Sequence, residues 1–202
     1  MILNTKYYFW KNGLSSKMCD DIIKLGLSKK SKKATVRRTN NKTQKTTNKY
    51  RDSQVVFLDD LWIYNAIQPF IYEANKNANW NFQWDWTEST QFTIYGPNQH
   101  YNWHVDTSLP YNEPKNINVH GKIRKISMSI CLSDPKNFKG GELEFNYREH
   151  KDITKCKPHK VKEINNKGGV VVFPSDTWHR VTPVTKGTRY SLVAWSLGQP
   201  FK

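Results

Sequence analysis

Past residue 80 the apolar residues of this chain recur at every second position, and that period commits the larger part of it to half-buried strands rather than helices. Phe82, Trp84 and Trp86 alternate with polar residues, as do Phe92 and Ile94 with Gln91, Thr93 and Tyr95. Residues 126–132, 142–145, 170–173 and 190–195 also read as short strands. Gly96-Pro97, Asp134-Pro135, Gly140-Gly141 and Gly168-Gly169 punctuate them as turns. Ahead of this region the period is helical. Ser15 or Ser16 caps a helix that ends near Gly26, with Leu14 and Cys19 spaced as a hydrophobic staple and Ile22, Ile23 and Leu27 as its buried stripe. After a short strand and turn over 7–14 and a strand at 54–58, Asp59 and Asp60 cap a second helix running to about Asn77. Its apolar positions are Leu61, Ile63, Ile67, Phe70, Ile71 and Ala74, and Pro69 is expected to kink or divide it. Two early helices followed by many short strands predict a mostly β fold with flanking α, a sandwich or barrel with the N-terminal helices packed outside.

The length, 202 residues, favours one domain over 1–202. At that size folding buries roughly 70% of the unfolded surface, enough for a core without covalent staples. Three cysteines, Cys19, Cys131 and Cys156, are too few and too widely spaced for a disulfide framework, which predicts a reducing compartment, the cytoplasm. No apolar run of signal-peptide length follows Lys6, and no stretch of 18 apolar residues predicts a membrane span. The net charge of +15 is unevenly spread. Ten lysines and arginines lie between Ser28 and Arg51 with no acid among them. This basic segment, read as a loop over 28–50, is either solvated or a surface for nucleic acid or an acidic protein. Tyr50 is the first aromatic in it, so a base-stacking platform is not indicated.

The residues that carry chemistry are His104, Asp106, His179 and Arg189. On a strand, His104 and Asp106 would point to one face, and His179 must arrive from a distant strand end. Two imidazoles and a carboxylate suit mononuclear non-haem iron(II) with coordination positions left open. Arg189 suits a bidentate grip on a carboxylate. A lone H-x-D is common. The run 169–191 raises its meaning, because it sets a histidine past one strand and an arginine on the next, after a turn with Pro183 and Gly187. His100, His120, His150 and His159 read as ordinary loop residues.

YGPNQHYNWHVD at 95–106 resembles the metal-binding segment of the prolyl 4-hydroxylase group of 2-oxoglutarate/iron(II) dioxygenases. LSDPKNFKGGEL at 132–143, and FPS through His179-Arg-Val-Thr-Pro-Val to Gly-Thr-Arg189, resemble its PKHD-type hydroxylases. The resemblance runs from about 90 to 198. It implies a double-stranded β-helix, or jelly roll, with His104, Asp106 and His179 as ligands of Fe(II) and Arg189 on the distal carboxylate of 2-oxoglutarate. Some relatives place a tyrosine near Cys131 that also touches the co-substrate; here Tyr95 or Ser191 would compensate. The implied reaction hydroxylates a protein or peptide, at proline, consuming O2 and 2-oxoglutarate, releasing succinate and CO2, with ascorbate as reductant. Trp103, Thr107 and Trp178 either pack or line the substrate cleft, and the polar loop 107–121 is expected to help choose the substrate. The alternatives are a nucleic-acid demethylase, a small-molecule hydroxylase and a non-catalytic metal-binding jelly roll. Demethylases carry a second arginine six residues after the first, where this chain has Trp195.

Overall fold

The computed structural model describes residues 3–37, 43–44, 49–107, 109–147 and 155–201. The N-terminal part contains β1 (Tyr8–Trp10), α1 (Ser16–Ser28), β2 (Lys32–Lys33), β3 (Val36–Arg37), β4 (Thr43–Gln44), β5 (Arg51–Asp52), β6 (Gln54–Leu58) and α2 (Leu61–Asn77). Then come β7 (Trp86–Thr87), β8 (Thr90–Tyr95), β9 (His100–His104), β10 (Ile123–Cys131), β11 (Phe138–Gly140) and β12 (Leu143–Asn146). The last are β13 (His159–Lys160), β14 (Val170–Pro174), β15 (Trp178–Val181), β16 (Val184–Gly187) and β17 (Arg189–Gly198). A major sheet runs β1-β14-β10-β17-β8-β6-β2, with β7 also on β17. A minor sheet runs β13-β12-β15-β9-β5. The strand pairs within both are antiparallel, as a jelly roll requires.

Alternation along the major sheet separates two faces. Val56, Leu58, Phe92, Ile126, Met128, Ile130, Val170, Val172, Leu192 and Ala194 join Cys19, Ile22, Ile63, Ile67, Ile71 and Ala74 of the helices in one core. The intervening residues, Gln91, Tyr95, Ser129, Phe173, Arg189, Ser191, Val193 and Trp195, line a cavity toward the minor sheet. This second set is mixed: Gln91, Ser129, Arg189 and Ser191 are polar, while Tyr95 and Phe173 join Leu143, Phe145, Val181 and Val184 in a second apolar cluster.

Several expectations change. The side chain of Ser15 caps α1 by accepting from the Met18 N–H at 3.2 Å. The buried stripe of α1 is Cys19, Ile22 and Gly26, leaving Leu27 53% exposed. Leu61 is 72% exposed, because the stripe of α2 follows Ile63, Ile67, Ile71 and Ala74, and Leu61 lies two residues, about 200°, off it. Pro69 does not divide α2. It sits on the exposed side, where the bond it forfeits faces water. Residues 80–85 form no strand, and the alternation there settles Trp80 and Phe82 against the helix core without a pairing partner. The basic segment is not all loop. β2 pairs with β6, and β3 pairs with β4. Arg38, Lys42, Lys45 and His150 lie outside the described residues. His100 and His159 are on strands rather than loops. Among the described residues no helix is long and apolar enough to cross a membrane.

Candidate metal centre

His104 closes β9 and His179 lies within β15, directly opposite it in the antiparallel register. That cross-strand pairing sets the two imidazoles 4.0 Å apart, centroid to centroid, tilted by 53°. Asp106 reaches them differently from expectation. β9 ends at His104, so strand alternation does not deliver the carboxylate. The chain bends instead, and the N–H groups of Asp106 and Thr107 both donate to the Ser175 carbonyl at 2.9 Å, just past β14. The Asp106 carboxylate then lies 3.8 Å from His104 Nε2 and 3.5 Å from His179 Nε2. Bonds of roughly 2.1 Å to one ion span such gaps. Among the described residues this trio is the group of metal-ligating side chains that converge, all donor atoms lying within 4.8 Å of one another.

Each donor is aimed by its neighbours. His104 Nδ1 pairs with the Asn102 carbonyl at 2.8 Å and His179 Nδ1 with the Thr177 carbonyl at 2.9 Å. A carbonyl only accepts, so both Nδ1 atoms carry hydrogen, and both Nε2 atoms face Asp106. The Ser127 hydroxyl donates to Asp106 Oδ2 at 2.8 Å. Burial first, then the His179 imidazole, holds His104 well below the usual histidine range, keeping it neutral. Burial alone would raise the Asp106 carboxyl. The two histidines and then Arg124 outweigh it and bring the group down to about 2, so it is ionised. A neutral His104, the His179 imidazole and a carboxylate held close together, with no lysine among them, suit a divalent cation.

The cavity holding these groups has a volume of about 390 Å³. Arg189 opens β17 and is buried, with Tyr95 opposite it on β8 and its guanidinium 5.7 Å from that ring. Its Nη1 is buried without a hydrogen-bond partner. An unpaired guanidinium nitrogen is costly to keep, and an anionic oxygen entering the cavity would satisfy it. Ser191 follows on the same face, and Cys131 stands opposite Ser191 on β10, its thiol pushed up chiefly by burial. The backbone of Gly141 makes room for Arg189, since a Cβ there would lie 2.8 Å from Arg189 Cδ. A buried guanidinium with an unpaired nitrogen beside a hydroxyl would fit a carboxylate of a small acid such as 2-oxoglutarate.

Three residues expected in the cleft are elsewhere. Trp103 and Trp178 each precede a histidine whose side chain enters the cavity, so the pleat turns them to the opposite face. There Trp103 lies under Arg180, 4.6 Å from its guanidinium, and Trp178 borders a separate small pocket with Asp176 and Thr177. Thr107 is tied to Ser175 and does not line the cavity. In their place the structure brings in Arg51, Arg124, Tyr101, Asn112 and Glu113. Arg124 is aimed inward by a bulge in β10, where Lys125 is the extra residue. Glu88 grips Arg124 through Nε and Nη2, the Trp195 ring lies 3.8 Å from its guanidinium, and the Tyr111 hydroxyl also bonds Glu88. Tyr111 thus pins residues 109–121 beside the cavity, which Asn112 and Glu113 line.

Residues 90–197, more than half of the chain, match the 2OG-Fe(II) oxygenase superfamily, and the chain belongs to that family. It is 34% identical over 107 residues to a PKHD-type hydroxylase of Pseudoalteromonas atlantica, covering 52% of this chain and 41% of that one. A PKHD-type hydroxylase of Synechococcus sp. is 31% identical over 108 residues, covering 53% and 42%. The chain spans about two-fifths of the length of these relatives. In fold it resembles a prolyl-4-hydroxylase of Pseudomonas putida, with a TM-score of 0.68 and 16% identity over 96% of this chain and 93% of that one. It also resembles the viral collagen prolyl hydroxylase of Paramecium Bursaria Chlorella virus-1 in its 2OG complex, with a TM-score of 0.67 and 19% identity over 96% and 97%. The double-stranded β-helix expected from the sequence is therefore the fold.

Proposed function

We propose that residues 1–202 act as one Fe(II)- and 2-oxoglutarate-dependent dioxygenase domain that hydroxylates a protein or peptide, at proline, in the cytoplasm. The observation that carries this reading is the convergence of His104, Asp106 and His179 in the cavity that also holds the unpaired Nη1 of Arg189. When bound, iron with O2 and 2-oxoglutarate supplies the oxidation that puts one oxygen atom on a substrate C–H and the other into succinate, with loss of CO2. The chain supplies placement. His104, Asp106 and His179 would hold the ion, and three protein ligands would leave it positions for co-substrate and O2. Arg189 grips the distal carboxylate, with Tyr95 and Ser191 beside it.

Arg189 and Trp195 are six residues apart on one strand, roughly 20 Å of cavity wall. The co-substrate end and the Arg124–Trp195 end are thus separate. Arg124 already has its charge balanced by Glu88, so it offers N–H groups to a neutral peptide carbonyl rather than to an anion. Trp195, buried with Arg124 over its ring, adds an apolar wall at this end that suits a proline ring. The loop 107–121 borders this end, and the basic segment, whose Thr35 also lines the cavity, favours an acidic substrate. Trp195 in place of a second arginine argues against nucleic-acid demethylation.

The test incubates the full chain with Fe(II), 2-oxoglutarate and ascorbate, and measures succinate. Slow succinate release without prime substrate is expected, rising with proline-containing peptides that gain one oxygen atom by mass spectrometry. Ascorbate should prolong turnover. No succinate under any of these conditions would defeat the proposal, and would favour a non-catalytic metal-binding module.

A further inference from the structure

The pairing of β9 with β15 is irregular. His179 faces His104 and Val181 faces Tyr101, so two residues on β15 span three on β9. One residue of β9 is extra, and a bulge of this kind re-aims a side chain. Here it turns Tyr101 and His104, three apart, to the same side of the strand. The phenol ring then lies flat against the imidazole, centroids 3.5 Å apart and planes 15° from parallel. Behind the phenol, the Arg51 guanidinium sits 4.3 Å from the ring centroid. Arg51 is itself buried and anchored, Nε donating to Ser53 Oγ and Nη1 to the Thr35 carbonyl, both at 3.2 Å. Edge strand β5 carries Arg51 directly opposite Tyr101.

These contacts restrain His104 in complementary directions. The bond from Nδ1 to the Asn102 carbonyl lies in the ring plane and leaves rotation about that bond open. Face-to-face stacking against Tyr101 restricts that rotation, and Arg51 keeps Tyr101 from swinging back. On the other imidazole the contact is different: Phe173 meets His179 edge-on at 5.0 Å. We propose that Tyr101, backed by Arg51, is the positioning residue that fixes the plane of the His104 imidazole and thereby sets how tightly the triad holds its metal. The proposal rests on the reading of His104, Asp106 and His179 as the metal ligands.

The experiment loads the full chain with Co(II), records its visible ligand-field bands, and follows metal release to excess EDTA. Tyr101→Phe keeps the ring and should match wild type in both readouts. Tyr101→Leu should shift the bands and speed release roughly tenfold or more, the range seen when the support of a metal-binding histidine is removed. Arg51→Lys keeps the charge but loses the planar stack, and should speed release a few-fold in the same direction. Tyr101→Leu with wild-type bands and wild-type release would overturn the proposal. Should that variant fail to fold by circular dichroism, Arg51→Lys decides, and release at the wild-type rate overturns it. A wild-type chain that takes up no Co(II) would instead refute the triad itself, and this proposal with it.

Discussion

Arg189 is buried with a guanidinium nitrogen unpaired, which makes it the most informative single side chain after the metal ligands. Arg189→Met should weaken 2-oxoglutarate binding to the Mn(II)-loaded protein on the order of a hundredfold. Calorimetry measures this, and unchanged affinity would show that the co-substrate does not reach the guanidinium. His104, Asp106, His179 and Arg189 were legible because each lies in a short run whose residue types state the chemistry. Arg124 and Tyr101 were not. Arg124 acquires meaning from Glu88, 36 positions away, and Tyr101 from Arg51, which β-pairing brings opposite it. Neither spacing leaves a local signature. Trp103 and Trp178 misled for a related reason, because adjacency in sequence to a ligand means the opposite face on a strand.

At the scale of elements, two glycines decide how closely the parts approach. Gly26 lets α1 press on β8, since a Cβ there would sit 2.4 Å from the Phe92 ring. Gly26→Ala should cost roughly 1–3 kcal/mol through overpacking, read as a lower denaturant midpoint. A midpoint at the wild-type value would mean that α1 has room to shift. Gly141, at φ +63° and 2.8 Å from Arg189 by the same measure, sits at the cavity instead. Gly141→Ala should therefore weaken 2-oxoglutarate binding by displacing Arg189. In the loop, Tyr111→Phe removes the hydroxyl that ties Tyr111 to Glu88 and should raise the KM for a peptide substrate severalfold; an unchanged KM would dissociate this loop from substrate choice. The strand at 54–58 and the helix reaching Asn77 were readable from periodicity. The bulges in β9 and β10 were not, because a bulge is a mismatch between two strands and is invisible in either one.

Across the whole molecule, period-two patterning correctly announced the β-sandwich, and the same alternation divides it into a helix-covered core and a cavity of mixed lining. The candidate metal centre spans both sheets, taking His104 and His179 from the minor one and the Ser127 hydroxyl that supports Asp106 from the major one. Occupying it should therefore stabilise the fold as a unit. Mn(II) and 2-oxoglutarate at about a hundred times their dissociation constants should each add roughly 2.7 kcal/mol. At this chain length that corresponds to a rise in Tm of about 5–10 °C for each, and a Tm indifferent to both would contradict a preformed site. The decisive property is the holding of one ion by these three side chains. Anaerobic equilibrium dialysis against Fe(II), followed by metal analysis, should return one iron per wild-type chain and almost none for His104→Ala, Asp106→Ala or His179→Ala. A full equivalent of iron retained by folded Asp106→Ala would contradict it.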